Sequence, residues 1–265
     1  MRHPAVRSWW FAVAVYLIAY LAGCESGITG FDDVLPGSCA VGPTPPFQPE
    51  ALPSEESASR MKIYILSGFL NFYSLGFDQL AAEMSQFNLH PTLVGWPQWE
   101  NAAHQIISSY TGPADGSLYV LVGHSYGADD AVRIAHYMKD AGIEVRLLFL
   151  LDATSPPPIP DNVDRCIHYY EPWLPGDLFP DIFSGNPVVA DPGNAHTEIT
   201  NLLFSRDTLG DGVGCADHFS MDVNELMHTL IMTEVFRLME ADTAGAGSKA
   251  ALAAPDAQPQ RPQKP

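Results

Sequence analysis

The chain has 265 residues, 46% of them apolar and 17% charged, enough for one sizeable core and too few for two. A formal charge of −18 argues against nucleic acid and against anionic membrane surfaces as electrostatic partners, because both would repel it. The absence of any Cys-x-x-Cys pair or His-Glu-x-x-His string argues against a metal site.

Arg2, His3 and Arg7 precede an apolar run from Trp9 to Leu21. The run is too short to span a bilayer comfortably and has the basic start of a secretory signal. It ends in Leu21-Ala22-Gly23-Cys24, which resembles the lipobox of bacterial lipoproteins. That resemblance implies a signal peptide over residues 1–23 and a mature chain that starts at a lipidated Cys24. It also implies an exported protein anchored to a bacterial membrane, on the periplasmic or outer face of the envelope. Two acyl chains and an amine-linked third hold a protein stably, where one chain binds only marginally. An uncleaved anchor helix, or an ordinary signal with a chance cysteine, is the competing reading. With Cys24 lipidated, Cys39, Cys166 and Cys215 remain, and any one of three disulfide pairings is open.

Residues 24–60 read as the lipidated N-terminus and a tether, since Gly42 to Arg60 is rich in proline, serine and glutamate. From Met61 to about Glu240 strands and helices alternate: strands at Lys62–Leu66, Pro91–Val94, Leu118–Val122 and Val145–Leu151, with helices at Leu75–Phe87, Trp99–Tyr110 and Tyr126–Ala141 between them. Further strands follow at Arg165–Tyr170 and near Thr197–Phe204, then a closing helix from about Val223 to Leu238. The pattern predicts an α/β domain, a mostly parallel sheet of about six strands with helices on both faces. Residues 241–265, made largely of alanine, glycine, proline and glutamine, have little to bury and read as a disordered tail.

The most informative stretch is LYVLVGHSYGADDA, Leu118 to Ala131, where an apolar strand runs through Gly-x-Ser-x-Gly into a helical pattern. The strand–turn–helix context makes Ser125 a candidate nucleophile on a strained turn. Gly123 and Gly127 leave room for close backbone approach, and the amide of Tyr126 at the helix start is an oxyanion donor candidate. His124 reads as packing beside the serine, and Asp129 and Asp130 as charges favouring the helix N-terminus.

From about Met61 to Met239 the sequence resembles the α/β-hydrolase superfamily. The resemblance implies a Ser, Asp or Glu, His triad in that chain order and a second oxyanion donor from an early strand-to-helix loop. By position that donor is the backbone N–H of Phe69, after Ser67 (where many members have histidine) and Gly68, with Asn71 as an outside side-chain candidate. Asp152 follows an apolar strand directly and precedes a proline-rich stretch, which suits the acid; Glu171 and Asp177 compete. For the base, His218 lies in a glycine-rich loop before the last helix, with His196 as runner-up. His168 and His228 fall inside regular elements and read as structural.

The apolar segment Pro172–Pro192 lines the cleft or caps the core. The resulting expectation is a lipid-anchored serine hydrolase, lipase- or esterase-like, acting on a small-molecule ester with an apolar acyl group and needing no cofactor. The rivals are a non-catalytic envelope lipoprotein using the fold as a binding module, and a thioesterase or acyltransferase.

Overall fold

The structure is a computed structural model that describes residues 45–68, 75–171, 185–213, 218 and 221–253. Cys24, Cys39, Phe69, Asn71, Asp177 and Cys215 lie outside these residues, as do residues 172–184 of the apolar segment. Six strands make one sheet: β1 Met61–Leu66, β2 Thr92–Val94, β3 Leu118–His124, β4 Val145–Leu151, β5 Arg165–Tyr170 and β6 Glu198–Leu203. They run in the order β2-β1-β3-β4-β5-β6, and every pairing is parallel. The helices are α1 Glu55–Arg60, α2 Leu75–Ser85, α3 Trp99–Ser109, α4 Tyr126–Asp140, α5 Arg206–Leu209 and α6 Glu225–Ala253.

A parallel sheet covered on both faces needs strands that are apolar throughout, and all seven residues of β3 are buried. Successive residues point to opposite faces. Val120 and Val122 of β3, with Leu147, Phe149 and Leu151 of β4, pack against Phe77, Leu80 and Met84 of α2 and Ile231 and Val235 of α6. Leu121, Leu148 and Leu150 face the other way, onto Ala103 and Ile106 of α3 and Ala128, Val132 and Ala135 of α4. The chain lays β2 to one side of β1 and then returns to place β3 on the other. Strand order therefore reverses between β1 and β3, and the carboxyl ends of these strands open the crevice where ligands of such sheets bind.

Several boundaries differ from the sequence reading. The stretch read as tether is helical over its last six residues: Ser54 caps α1 by accepting the Ser57 amide, and Arg60 pairs with Asp242 at 2.6 Å. The final helix starts later and ends later than expected. The Asn224 side chain accepts the amides of Leu226 and Met227, and α6 then runs on to Ala253, so the tail is helical over residues 241–253. Alanine, abundant there, is the strongest helix former, which composition read as low hydrophobicity concealed. Strand β2 begins at Thr92, after Pro91, which has no amide to give a ladder.

Asp222 is fully buried beside the start of α2, and burial pushes its carboxyl from 3.8 up to about 7, against the opposing pull of the Gly76 and Val223 amides. Between those two pH values the unfolded chain ionises Asp222 while the folded chain keeps the proton. The stability it contributes below about pH 4 is thus lost as pH rises toward 7. The stabilising effect of Asp222→Asn on the melting temperature, relative to wild type, is expected to be larger at pH 8 than at pH 4. The same difference at both pH values would refute this assignment.

Candidate active site

The turn after β3 is set by backbone geometry. Ser125 sits at φ 57° and ψ −127°, a region that residues with a Cβ rarely occupy, and its amide donates to the Leu151 carbonyl at 2.9 Å. Glycine is required on either side. A Cβ on Gly123 would stand 2.4 Å from the Gly127 oxygen, and one on Gly127 would stand 2.3 Å from the Leu66 oxygen. Strand β3, helix α4 and the end of β1 therefore meet at backbone distance. Tyr126 opens α4, so its amide lies at the positive end of the helix directly after the serine. On the facing side, the Ser67 amide donates to Val94, and Gly68 packs so closely that its Cβ would lie 3.2 Å from that of Ser125.

Three side chains converge on this turn. His218 Nε2 lies 2.9 Å from Ser125 Oγ, and His218 Nδ1 lies 2.6 Å from Asp152 Oδ2. All three are buried. A carboxylate accepts, so Nδ1 carries the ring hydrogen and Nε2 is left to accept the serine proton. The structure thus brings together Ser125, Asp152 and His218. The competitors have other places: Glu171 donates its backbone amide to Asp152 Oδ1 at 3.1 Å, and His196 is exposed beside Asp164. His228 bonds to Glu83 and the Asp222 carbonyl. Cys166 is a free, buried thiol, with its pKa raised by burial. Among the described residues no group of three His, Cys, Asp or Glu side chains could hold a metal ion.

Asp152 has φ 45°, and its loop is held at nearly every amide. Its own amide donates to Tyr169 at 2.7 Å, and that of Ala153 to His168 Nε2 at 3.2 Å. Asp129, at the first turn of α4, accepts the Thr154 amide and hydroxyl and the Ser155 amide at 2.9, 2.6 and 3.1 Å. The sequence reading gave Asp129 a general electrostatic role; here it joins the helix after Ser125 to the loop after Asp152. Burial raises its pKa, and the three donors oppose the rise. His168 is buried, its pKa lowered to about 4, so it stays neutral, accepting at Nε2 and donating from Nδ1 to Asn201 at 3.2 Å. Gly185 closes over the acid: a Cβ there would lie 1.7 Å from the Glu171 oxygen and 2.9 Å from Asp152 Oδ1. The partners of Asp129 and Gly185 are remote in sequence, and no local pattern announces them.

No protein-family model and no curated protein matches the sequence. Solved structures similar to the chain include the NocB thioesterase domain from the nocardicin cluster, at 13% identity, TM-score 0.40, covering 71% of this chain and 96% of that one. Another is human thioesterase 2, at 14% identity, TM-score 0.37, covering 69% and 97%. A third is the RedJ thioesterase of the prodiginine pathway in Streptomyces coelicolor, at 13%, 0.40, and 72% and 97%. At these scores the reading of the site rests on its own geometry. The parallel sheet, the serine turn after β3, and an acid and a histidine following in that order are the arrangement of an α/β-hydrolase fold.

Asp129→Ala would remove the acceptor shared by the Thr154 and Ser155 amides, at a cost of about 1–3 kcal/mol. The melting temperature is expected to fall, and reactivity of Ser125 toward an active-site probe to fall with it. Asp140→Asn, on the exposed end of α4, should change neither; equal behaviour of the two variants would remove Asp129 from the account.

Proposed function

We propose that this protein is a serine hydrolase that cleaves a carboxylic ester through an acyl-enzyme. The observation that carries this reading is the unbroken relay from Asp152 through His218 to Ser125, at 2.6 and 2.9 Å. His218 Nε2 takes the Ser125 proton as Oγ adds to the ester carbonyl, and Asp152 stabilises the imidazolium that forms. The Tyr126 amide at the helix start holds the oxyanion, and the sequence position of Phe69, next after Gly68, suits its amide to be the second donor. Collapse breaks the ester C–O bond, and the imidazolium gives its proton to the departing alkoxide. Water, deprotonated by the same nitrogen, then releases the acid and restores the serine.

The convergence of all three side chains supports an enzyme over a binding module, for which the relay would have no use. The basic start, apolar run and Leu-Ala-Gly-Cys sequence support export and lipid anchoring at Cys24. Oxygen esters suit such a location better than carrier-bound thioesters, which are cytoplasmic metabolites.

Labelling of the full chain with a fluorophosphonate probe is the direct test. Wild type should react, Ser125→Ala should not, and His218→Ala should react more slowly by about 10³-fold or more. A folded wild type that does not react would overturn the enzyme reading in favour of the binding module. For the anchor, cells expressing the full chain and fed labelled palmitate should transfer label to wild type and not to Cys24→Ser; label in both would rule out lipidation at Cys24.

A further inference from the structure

His124, the residue before the nucleophile, holds the base. Its ring is buried, edge-on to Phe77, with its centroid 5.1 Å from that of His218. Its Nε2 lies 2.6 Å from the backbone carbonyl oxygen of His218. A carbonyl only accepts, so Nε2 must carry the hydrogen and donate it. Burial, reinforced by the neighbouring His218, lowers the His124 pKa to about 3, so the ring stays neutral and its single proton is committed to this bond. Nδ1 has no hydrogen-bond partner among the described residues, which agrees with a ring oriented for one contact.

We propose that His124 is a positioning residue that fixes the backbone of His218 against the nucleophile strand, a role that rests on the serine-hydrolase reading above. His218 belongs to no described helix or strand. Residue 124 is covalently joined to Ser125. Its bond to the His218 carbonyl therefore sets the separation of nucleophile and base through backbone, independently of the contact between Oγ and Nε2. That independence matters during turnover. Once Oγ is acylated, Nε2 must release it and serve the leaving group and then water. At that stage Asp152 fixes the direction of the ring, and the His124 clamp fixes the point from which the ring projects. Without the clamp the base keeps its chemistry and loses its place.

Glutamine and asparagine at position 124 separate this role from simple packing. A glutamine amide nitrogen is as many bonds from Cα as Nε2 and can reach the His218 carbonyl; an asparagine amide is one bond shorter and cannot. With the full chain and p-nitrophenyl butyrate, His124→Asn is expected to lower kcat by about 10–100-fold with KM within about twofold, as for a misplaced reacting group. His124→Gln should stay within about threefold of wild type, and fluorophosphonate labelling rates should follow the same order, with circular dichroism melts confirming that both variants fold. Equal kcat in the two variants, whether high or low, would overturn the positioning role while leaving the hydrolase reading intact. A folded wild type that neither turns over nor labels would overturn both.

Discussion

The site depends on one backbone constraint, the reversal from β3 into α4 at Ser125. A serine at φ 57° is costly, and the turn persists because its surroundings leave it no alternative. Gly123 and Gly127 let three segments of main chain touch, and the Ser125 amide is tied to the end of β4. With the serine so placed, its hydroxyl lies beyond the carboxyl ends of the central strands, beside the point where strand order reverses. Asp152 and His218 then need only reach that point from their own loops.

Both do so by means of buried polar contacts. The acid loop is held on one side by Tyr169 and His168 of β5, and on the other by the Asp129 carboxylate of α4. His218 is held by Asp152 through its ring and by His124 through its carbonyl. Residues flanking the nucleophile, one before it and one four after it, thus grip the loops of the other two members. Hydrogen bonds of this kind add little net stability on average, yet a buried donor left unpaired is expensive. The network is therefore a strong determinant of geometry even where it contributes modestly to stability.

Charge state is part of the same design. The two supporting histidines, His124 and His168, are kept neutral by burial, so each has one donor and one acceptor nitrogen and only one useful orientation. Asp129 remains effective as an acceptor because three donors oppose the desolvation that raises its pKa. Asp222 has weaker compensation and titrates near neutrality. A chain of strongly acidic composition thus keeps a few carboxylates inside, each with a distinct degree of support.

Local pattern alone determined the order of strands and helices and the strand–glycine–serine–glycine–helix turn at Ser125, and it put Asp152 and His218 forward as candidates among others. Periodicity marks which residues face a core, and glycine spacing marks where backbone must pass close. Composition misjudged the ends, because the six residues of α1 and the alanine-rich extension of α6 form helix for local reasons that proline and alanine content did not convey. Only the tertiary structure decided among the competing carboxylates and histidines, since the sequence ranks Glu171 and His196 behind Asp152 and His218 without excluding them. It alone assigned His124, Asp129, His168 and Gly185 to the support of the triad. Their partners lie up to 94 positions away, and a hydrogen bond across that separation has no local signature. It exists because the sheet has already set the distances that such a bond must close.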